Sequence, residues 1–361
     1  MSALNIFAGP RALKLLRSEG FAAENFSWLA GASGGPKWFV LHGLDRYLAA
    51  SFFADRQAPL HMIGSSAGAW RLACFAQRNP LMALERLAGF YSQQTYSRDP
   101  DMHEITREAR KMLAAVMGLH GADEIVGNPI MRLHIIADRV RGPLGSDRRL
   151  PLTMGLAASA ATNLVSRRSL SWFFQRHIFH NPLDTEQTLP LTDLPSRYIA
   201  LTPDNVTDAL MASGSIPFVM ESVRDVVGTE HGSVFRDGGI TDYHLDLPFQ
   251  QAEGLVLYPH FYAGLTPGWF DRFVPWRRVR AGHFDNVVLL SPSREFVSTL
   301  PYGKIPDRND FKKLDAAERL RYWQHVLRES ERLADEFRVM VETGAGLEKI
   351  QAFRTQRIKH V

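Results

Sequence analysis

Twice within the first eighty residues, a short apolar run ends in a cluster of small residues and opens onto a helical pattern. The first run, 26–30, meets Gly31-Ala32-Ser33-Gly34-Gly35, with Pro36 at the start of a helix expected to about residue 50. Proline suits that first position because its missing N–H would be unpaired there anyway. The second run, 60–63, meets Gly64-Ser65-Ser66 and then a helix over 67–77. Repeated strand-turn-helix units predict an α/β fold with a largely parallel sheet. Further strands are expected at 132–137, 198–202, 233–236, 254–258 and 286–290. A long C-terminal helix is expected over 309–344, where Leu320, Trp323, Leu327, Leu333, Phe337 and Met340 recur near helical spacing among charges.

Gly64-Ser65-Ser66-Ala67-Gly68 matches G-x-S-x-G and has a strand before it and a helix after it, the setting in which that pattern carries chemistry. The glycines relieve crowding in a sharp turn, so that the Ser66 hydroxyl projects at the carboxyl end of its strand. The following helix turns its free N–H groups toward any oxyanion formed there. A serine needs an adjacent base. His260 and His283 are late in the chain, as a triad histidine would be, but neither sits in a recognisable turn, and both read as ordinary polar residues. Asp237, leaving a strand into Gly238 and Gly239, is the stronger candidate on position, although an Asp-Gly turn by itself is commonplace.

Gly34-Gly35-Pro36-Lys37, then Gly64-x-Ser66-x-Gly68, then Ala212-Ser213-Gly214-Ser215-Ile216-Pro217, then Asp237-Gly238-Gly239 resembles, in this order and spacing, the patatin-like phospholipases, which are lipid acyl hydrolases. The resemblance spans about 26–242. It implies a three-layer α/β fold with a mostly parallel central sheet flanked by helices, and a Ser66–Asp237 dyad without histidine. It also implies an oxyanion hole from the Gly34 and Gly35 amides, with Lys37 as the family's basic residue after the glycines, and Gly64, Gly68, Gly238 and Gly239 in support. The chain departs from the family at Ser33 and Trp38, where glycines are usual, and after Gly239, where Ile240-Thr241-Asp242-Tyr243-His244 replaces an Asn-Pro-like continuation. Without a visible boundary, one domain over 1–361 is expected, with a motif-bearing core at 26–242 and a C-terminal extension at 243–361. The expected reaction is hydrolysis of lipid carboxylic esters through an acyl-serine. Acyl transfer and thioester hydrolysis by the same chemistry are the alternatives, and a silent lipid-binding protein is disfavoured by the presence of both Ser66 and Asp237.

Composition removes other classes. The 361 residues carry 42 Lys and Arg against 38 Asp and Glu, a formal net charge of +4, with the signs interspersed; no basic stripe suggests nucleic acid. A single cysteine, Cys74, excludes an intrachain disulfide and a multi-cysteine zinc site. His177-x-x-His180 would put two imidazoles on one helix face, but no third ligand follows at metal spacing, so neither metal nor cofactor is expected. The longest uncharged window, 150–166, falls short of the roughly 20 apolar residues a bilayer crossing needs. Residues 1–9 lack the basic start of a secretory signal, so the cytoplasm is expected. Two aromatic-basic segments, 167–179 and 269–280, suit either an anionic membrane surface or an ordinary core. The C-terminal stripe is expected in the core, with a homodimer contact as the alternative, and 354–360 reads as a solvated tail.

Overall fold

In the computed structural model, which describes residues 2–185 and 188–355, both small-residue turns lie at the same end of adjacent parallel strands. In chain order the strands are β1 (Leu4–Ala8), β2 (Phe26–Gly31), β3 (Leu60–Ser65), β4 (Met131–Val140), β5 (Phe174–His180), β6 (Ser196–Ala200), β7 (Val223–Arg224), β8 (Val234–Asp237), β9 (Leu255–Pro259), β10 (Val287–Pro292) and β11 (Gln351–Ala352). They form one sheet in the order β11-β1-β10-β9-β2-β3-β4-β5-β6, with β8 on β4 and β7 on β8. The run from β10 to β4 is parallel throughout. Helices flank it, and β2, β3, β9 and β10 are almost wholly buried. A continuous apolar strand covered on both faces is what a parallel sheet with crossover helices requires.

The seven expected strands are all present, six within about two residues and β4 running three residues further, to Val140. β1, β5 and the two-residue strands β7 and β11 were missed. β1 is a short N-terminal strand that pairs antiparallel with β10. β5 contains His177 and His180, which therefore do not share a helix face: three residues apart on a strand, they point to opposite sides. The segment after residue 243 supplies β9, β10 and β11 to the same sheet as β1 to β8, so it is no appendage to the sheet. The long helix expected over 309–344 is divided into Asp310–Lys313, Ala316–Glu329 and Glu331–Thr343. Asp315 caps the second piece by accepting from the Glu318 amide. At the next join the Ser330 hydroxyl accepts from the Gly43 amide, docking the break on the helix His42–Tyr47. Trp323, Leu333, Phe337 and Met340 are buried in the main core, so the stripe is spent on intrachain packing. Of the expected tail, residues 356–360 lie outside the described residues.

The decisive local arrangement is at β4. Along one edge it pairs with β5, and along the other it pairs first with β3 (Ser65 beside Ile136) and then, antiparallel, with β8 (Asp237 beside Ala137). β3 and β8 therefore approach from opposite directions and end against each other on the same side of β4. The residue after β3 is Ser66, and the last residue of β8 is Asp237.

Candidate active site

Ser66 holds φ 53° and ψ −130°, a left-handed conformation that costs a non-glycine residue about 1–3 kcal/mol. The conformation turns the chain from β3 into the helix Ala67–Phe75 and aims the side chain at Asp237. The Ser66 hydroxyl donates to Asp237 Oδ2 at 2.8 Å, and both residues are buried. The Gly239 amide donates to the other carboxylate oxygen at 2.7 Å, leaving Oδ2 for the serine. Burial pushes the Asp237 carboxyl up to about 6, against the downward pull of the Gly239 amide, the Ser66 hydroxyl and the Arg308 cation.

Both backbones are clamped by the helix Val206–Gly214 and the residue after it. The Ser66 amide donates to Ser213 Oγ at 2.8 Å, whose own proton goes to the Ile136 carbonyl at 2.6 Å. The Asp237 amide donates to the Ser215 carbonyl at 3.0 Å. The Ala212-to-Pro217 motif thus fixes the main chain beneath these two side chains.

Small residues permit the close approach. A Cβ at Gly68 would lie 2.0 Å from the Gly31 carbonyl oxygen, and one at Gly238 would lie 2.1 Å from that of Ile136, so neither backbone contact survives a side chain. Gly64 is the fifth residue of β3, packed on Ala69, and Gly239 faces Ser33. Ser33, the departure from the family pattern, is built in: its hydroxyl shares a 2.7 Å hydrogen bond with that of Ser65, which donates to the Asp242 carbonyl at 2.8 Å. Gly34 lies against the Phe261 ring, and Gly35 has φ 55° beneath the Arg308 side chain. Neither the Gly34 nor the Gly35 amide finds an acceptor among the described residues, which leaves two main-chain donors at the loop beside the serine turn. Lys37 is held in an aromatic cage, 5.4–5.9 Å from the rings of Tyr243, Phe261 and Tyr262, and donates to the Tyr243 hydroxyl at 3.3 Å. Burial would raise that phenol, but Lys37, Arg308 and Arg272 together bring it below its ordinary value.

The turn after Asp237 rests on a buried ionic network. Arg176 grips Asp242 through two nitrogens at 2.6 and 2.8 Å and reaches Asp193 at 2.8 Å. Asp138 receives the Thr241 amide, and burial with the nearby Asp242 charge raises its carboxyl well above the usual range. The Thr241 hydroxyl lies 2.8 Å from Asp138 Oδ1 and 2.7 Å from Asp242 Oδ2, with one proton to share between the two carboxylates. His260 and His283 are elsewhere engaged, with the Tyr262 main chain and with Asp246. Cys74 is buried against the Trp70 carbonyl, and desolvation raises its thiol far beyond reactivity at neutral pH.

The model of the family described as patatin-like phospholipase matches residues 29–251, more than half of the chain and all four motifs. The chain belongs to the patatin-like phospholipase family. Members of this family are lipid hydrolases. No curated protein matches the chain. Among solved structures, VipD from Legionella pneumophila aligns with a TM-score of 0.31 at 14% identity, over 72% of this chain and 53% of that one, so the match spans about half of VipD. Within this patatin-like frame, sequence reasoning missed Arg308. It lies on the loop just before the helix Asp310–Lys313, outside the family match, and carries no motif. Asp307 and Asp310 are paired with Lys304, and the Arg308 guanidinium has no ion pair or hydrogen bond among the described residues.

The raised Asp237 carboxyl carries a stability consequence. Its folded value, about 6, exceeds the unfolded 3.8, so the ionised carboxylate burdens the fold above pH 6, and the burden is relieved as pH falls toward 4. Asp237→Asn is expected to stabilise the protein by about 2–3 kcal/mol at pH 8 and by little at pH 4, measured by urea unfolding at both values. Equal effects at the two pH values would show that the carboxyl is not perturbed.

Proposed function

We propose that the protein hydrolyses carboxylic esters of lipids with Ser66 as nucleophile and Asp237 as its base, in a single domain. The observation that carries the reading is the 2.8 Å hydrogen bond from the Ser66 hydroxyl to a buried carboxylate whose other oxygen is already occupied. As Ser66 Oγ bonds to the ester carbonyl carbon, its proton passes to Asp237 Oδ2. The carbonyl electron pair moves onto oxygen, where the Gly34 and Gly35 amides and the N-terminus of the Ala67–Phe75 helix face the new charge. Collapse breaks the bond to the leaving alkoxide, which takes the proton from Asp237. Water then repeats the sequence on the acyl-serine, giving its proton to Asp237 and restoring the Ser66 hydroxyl. A carboxyl near 6 is well matched to this work: it is ionised at neutral pH yet basic enough to accept a proton. Arg308, unpaired above Gly35, supplies a cation for an anionic group on the substrate.

The aromatic-basic segments support docking to an anionic membrane, with a division of labour the sequence did not show. Phe174, Phe179 and Phe270 are buried, and Trp269 packs on the second core cluster. Trp172, Phe273 and Trp276 are 68%, 61% and 67% exposed, with Leu150, Met154 and Val165 exposed on the neighbouring helix Arg149–Val165. Arg277 ties the second segment to that helix through the Asn163 carbonyl, and the Trp269 amide donates to the Gly239 and Ile240 carbonyls. Phe273 and Trp276 thus stand on a segment joined directly to the Asp237 turn. No helix among the described residues is long and apolar enough to cross a membrane, which is consistent with surface contact.

Two experiments follow. With a nitrophenyl ester, Ser66→Ala is expected to lower kcat/KM by at least about 10³-fold, and wild-type kcat/KM to rise with pH through about 6 as Asp237 ionises. In the same series, measured at pH 8 where Asp237 stays ionised, Arg308→Gln should raise KM for an anionic phospholipid and change the neutral ester little. Full activity in Ser66→Ala would reject the assignment, and new ester rather than free fatty acid would shift it to acyl transfer. For docking, cosedimentation with phosphatidylglycerol vesicles is expected at low salt, weakened by added salt and by replacing Trp172 and Trp276 with alanine. An unchanged bound fraction in that variant would remove the proposed surface.

A further inference from the structure

At the opposite end of β3 from Ser66, a second cluster of chemistry-bearing residues is left unused by the mechanism above. His61 stands beside Arg132 in the β3–β4 register, and His134 follows two residues later on the same face. Asp184, on the loop leaving β5, folds over them. Asp184 Oδ2 lies 2.9 Å from His61 Nδ1 and 3.3 Å from His134 Nε2, and the three donor atoms lie within 4.8 Å of one another. We propose that His61, His134 and Asp184 bind one divalent transition-metal ion, with zinc as the preferred ion.

The donor set and its spacing support this. Zinc binds imidazole nitrogen at about 2.0–2.1 Å and carboxylate oxygen at about 2.0–2.2 Å, which in a tetrahedral site separates neighbouring ligands by about 3.3–3.5 Å. The His134 contact to Asp184 Oδ2, 3.3 Å, matches that spacing, and His61 Nδ1, which hydrogen-bonds the same oxygen at 2.9 Å, would exchange that bond for the metal by moving back about 0.4 Å. Two nitrogens and one oxygen suit zinc, whereas magnesium and calcium prefer oxygen alone.

The second observation is an orphaned atom. His134 is 3% exposed, and its Nε2 has no hydrogen-bond partner among the described residues, although it faces the carboxylate. Its Nδ1 lies 3.2 Å from the Arg132 carbonyl, which can only accept, so the ring proton belongs on Nδ1. Nε2 then presents a lone pair to a carboxylate oxygen at 3.3 Å. Two acceptors so placed repel, and a cation between them converts the repulsion into two bonds. The Nδ1 contact is also the arrangement that orients a metal-binding imidazole from behind. Arg132 holds the other oxygen, Asp184 Oδ1, at 2.6 Å, which fixes Oδ2 toward the histidines. It also neutralises part of the carboxylate charge and so limits affinity. The His61 side chain is 18% exposed, which gives an ion a way in from solvent. The bound ion would tie the chain leaving β5 to the two central strands.

The test uses the tag-free full chain, stripped with a chelator and titrated calorimetrically with zinc chloride. One zinc per chain is expected, with little heat from magnesium. His61→Gln, a partly exposed change that spares the core, is expected to weaken binding by about 100-fold while melting like the stripped wild type. X-ray absorption at the zinc edge of the wild type should show imidazole scattering, and it decides the question should the variant not fold. Uptake below one zinc per chain, equal uptake by His61→Gln, or an edge spectrum without imidazole would overturn the proposal, the second outcome meaning adventitious zinc only.

Discussion

The hydrogen bond between Ser66 and Asp237 joins residues 171 positions apart, and the organisation of the sheet follows from the need to make it. A parallel neighbour of β3 would deliver its last residue alongside Ser65 with a strand spacing between them. Here β8 enters antiparallel to β4 and stops where β3 stops, so that the two chain ends meet on one edge of a continuous strand. β4 therefore spans the gap on which the site is built, and its Ile136 carbonyl anchors Ser213 at the join.

The site holds unfavourable elements that its surroundings compensate. A left-handed serine and a buried carboxylate each oppose folding, and each has its backbone amide bound by the 213–215 segment. Beyond the Gly238-Gly239 turn, Arg176 and Asp138 satisfy Asp242 and Thr241, so that the turn has little freedom to move away. A carboxylate kept partly desolvated is a stronger base than one in water, which links the cost in stability to the reactivity proposed for Ser66.

Much of this was legible because the features were local. Apolar runs ending in small residues gave β2 and β3 and the turns after them, and the Asp237-Gly238-Gly239 turn followed a readable strand. Other features depended on distant partners and left no local mark. β5 carries histidines on both faces because one face meets His134 and the other Phe235, a pattern without simple alternation. The break at Ser330 serves Gly43, almost three hundred residues away, so helical periodicity ran through it unseen. Nothing in the sequence separates Trp269 from Trp172 and Trp276, yet its neighbours in space place it inward and the other two outward. Arg308 belongs to the site only through folding, because nothing in Pro306-Asp307-Arg308-Asn309 marks it.

In the proposed reaction one serine is activated, and by geometry rather than by sequence composition. Three other buried serines, Ser33, Ser65 and Ser213, stand within the same hydrogen-bonded cluster, each with its hydroxyl engaged. Labelling with a fluorophosphonate, followed by peptide mass spectrometry, separates them directly. A single adduct on Ser66, lost when Asp237 is changed to asparagine, is the result this account predicts. An adduct on another serine, or one on Ser66 that persists undiminished in Asp237→Asn, would contradict it.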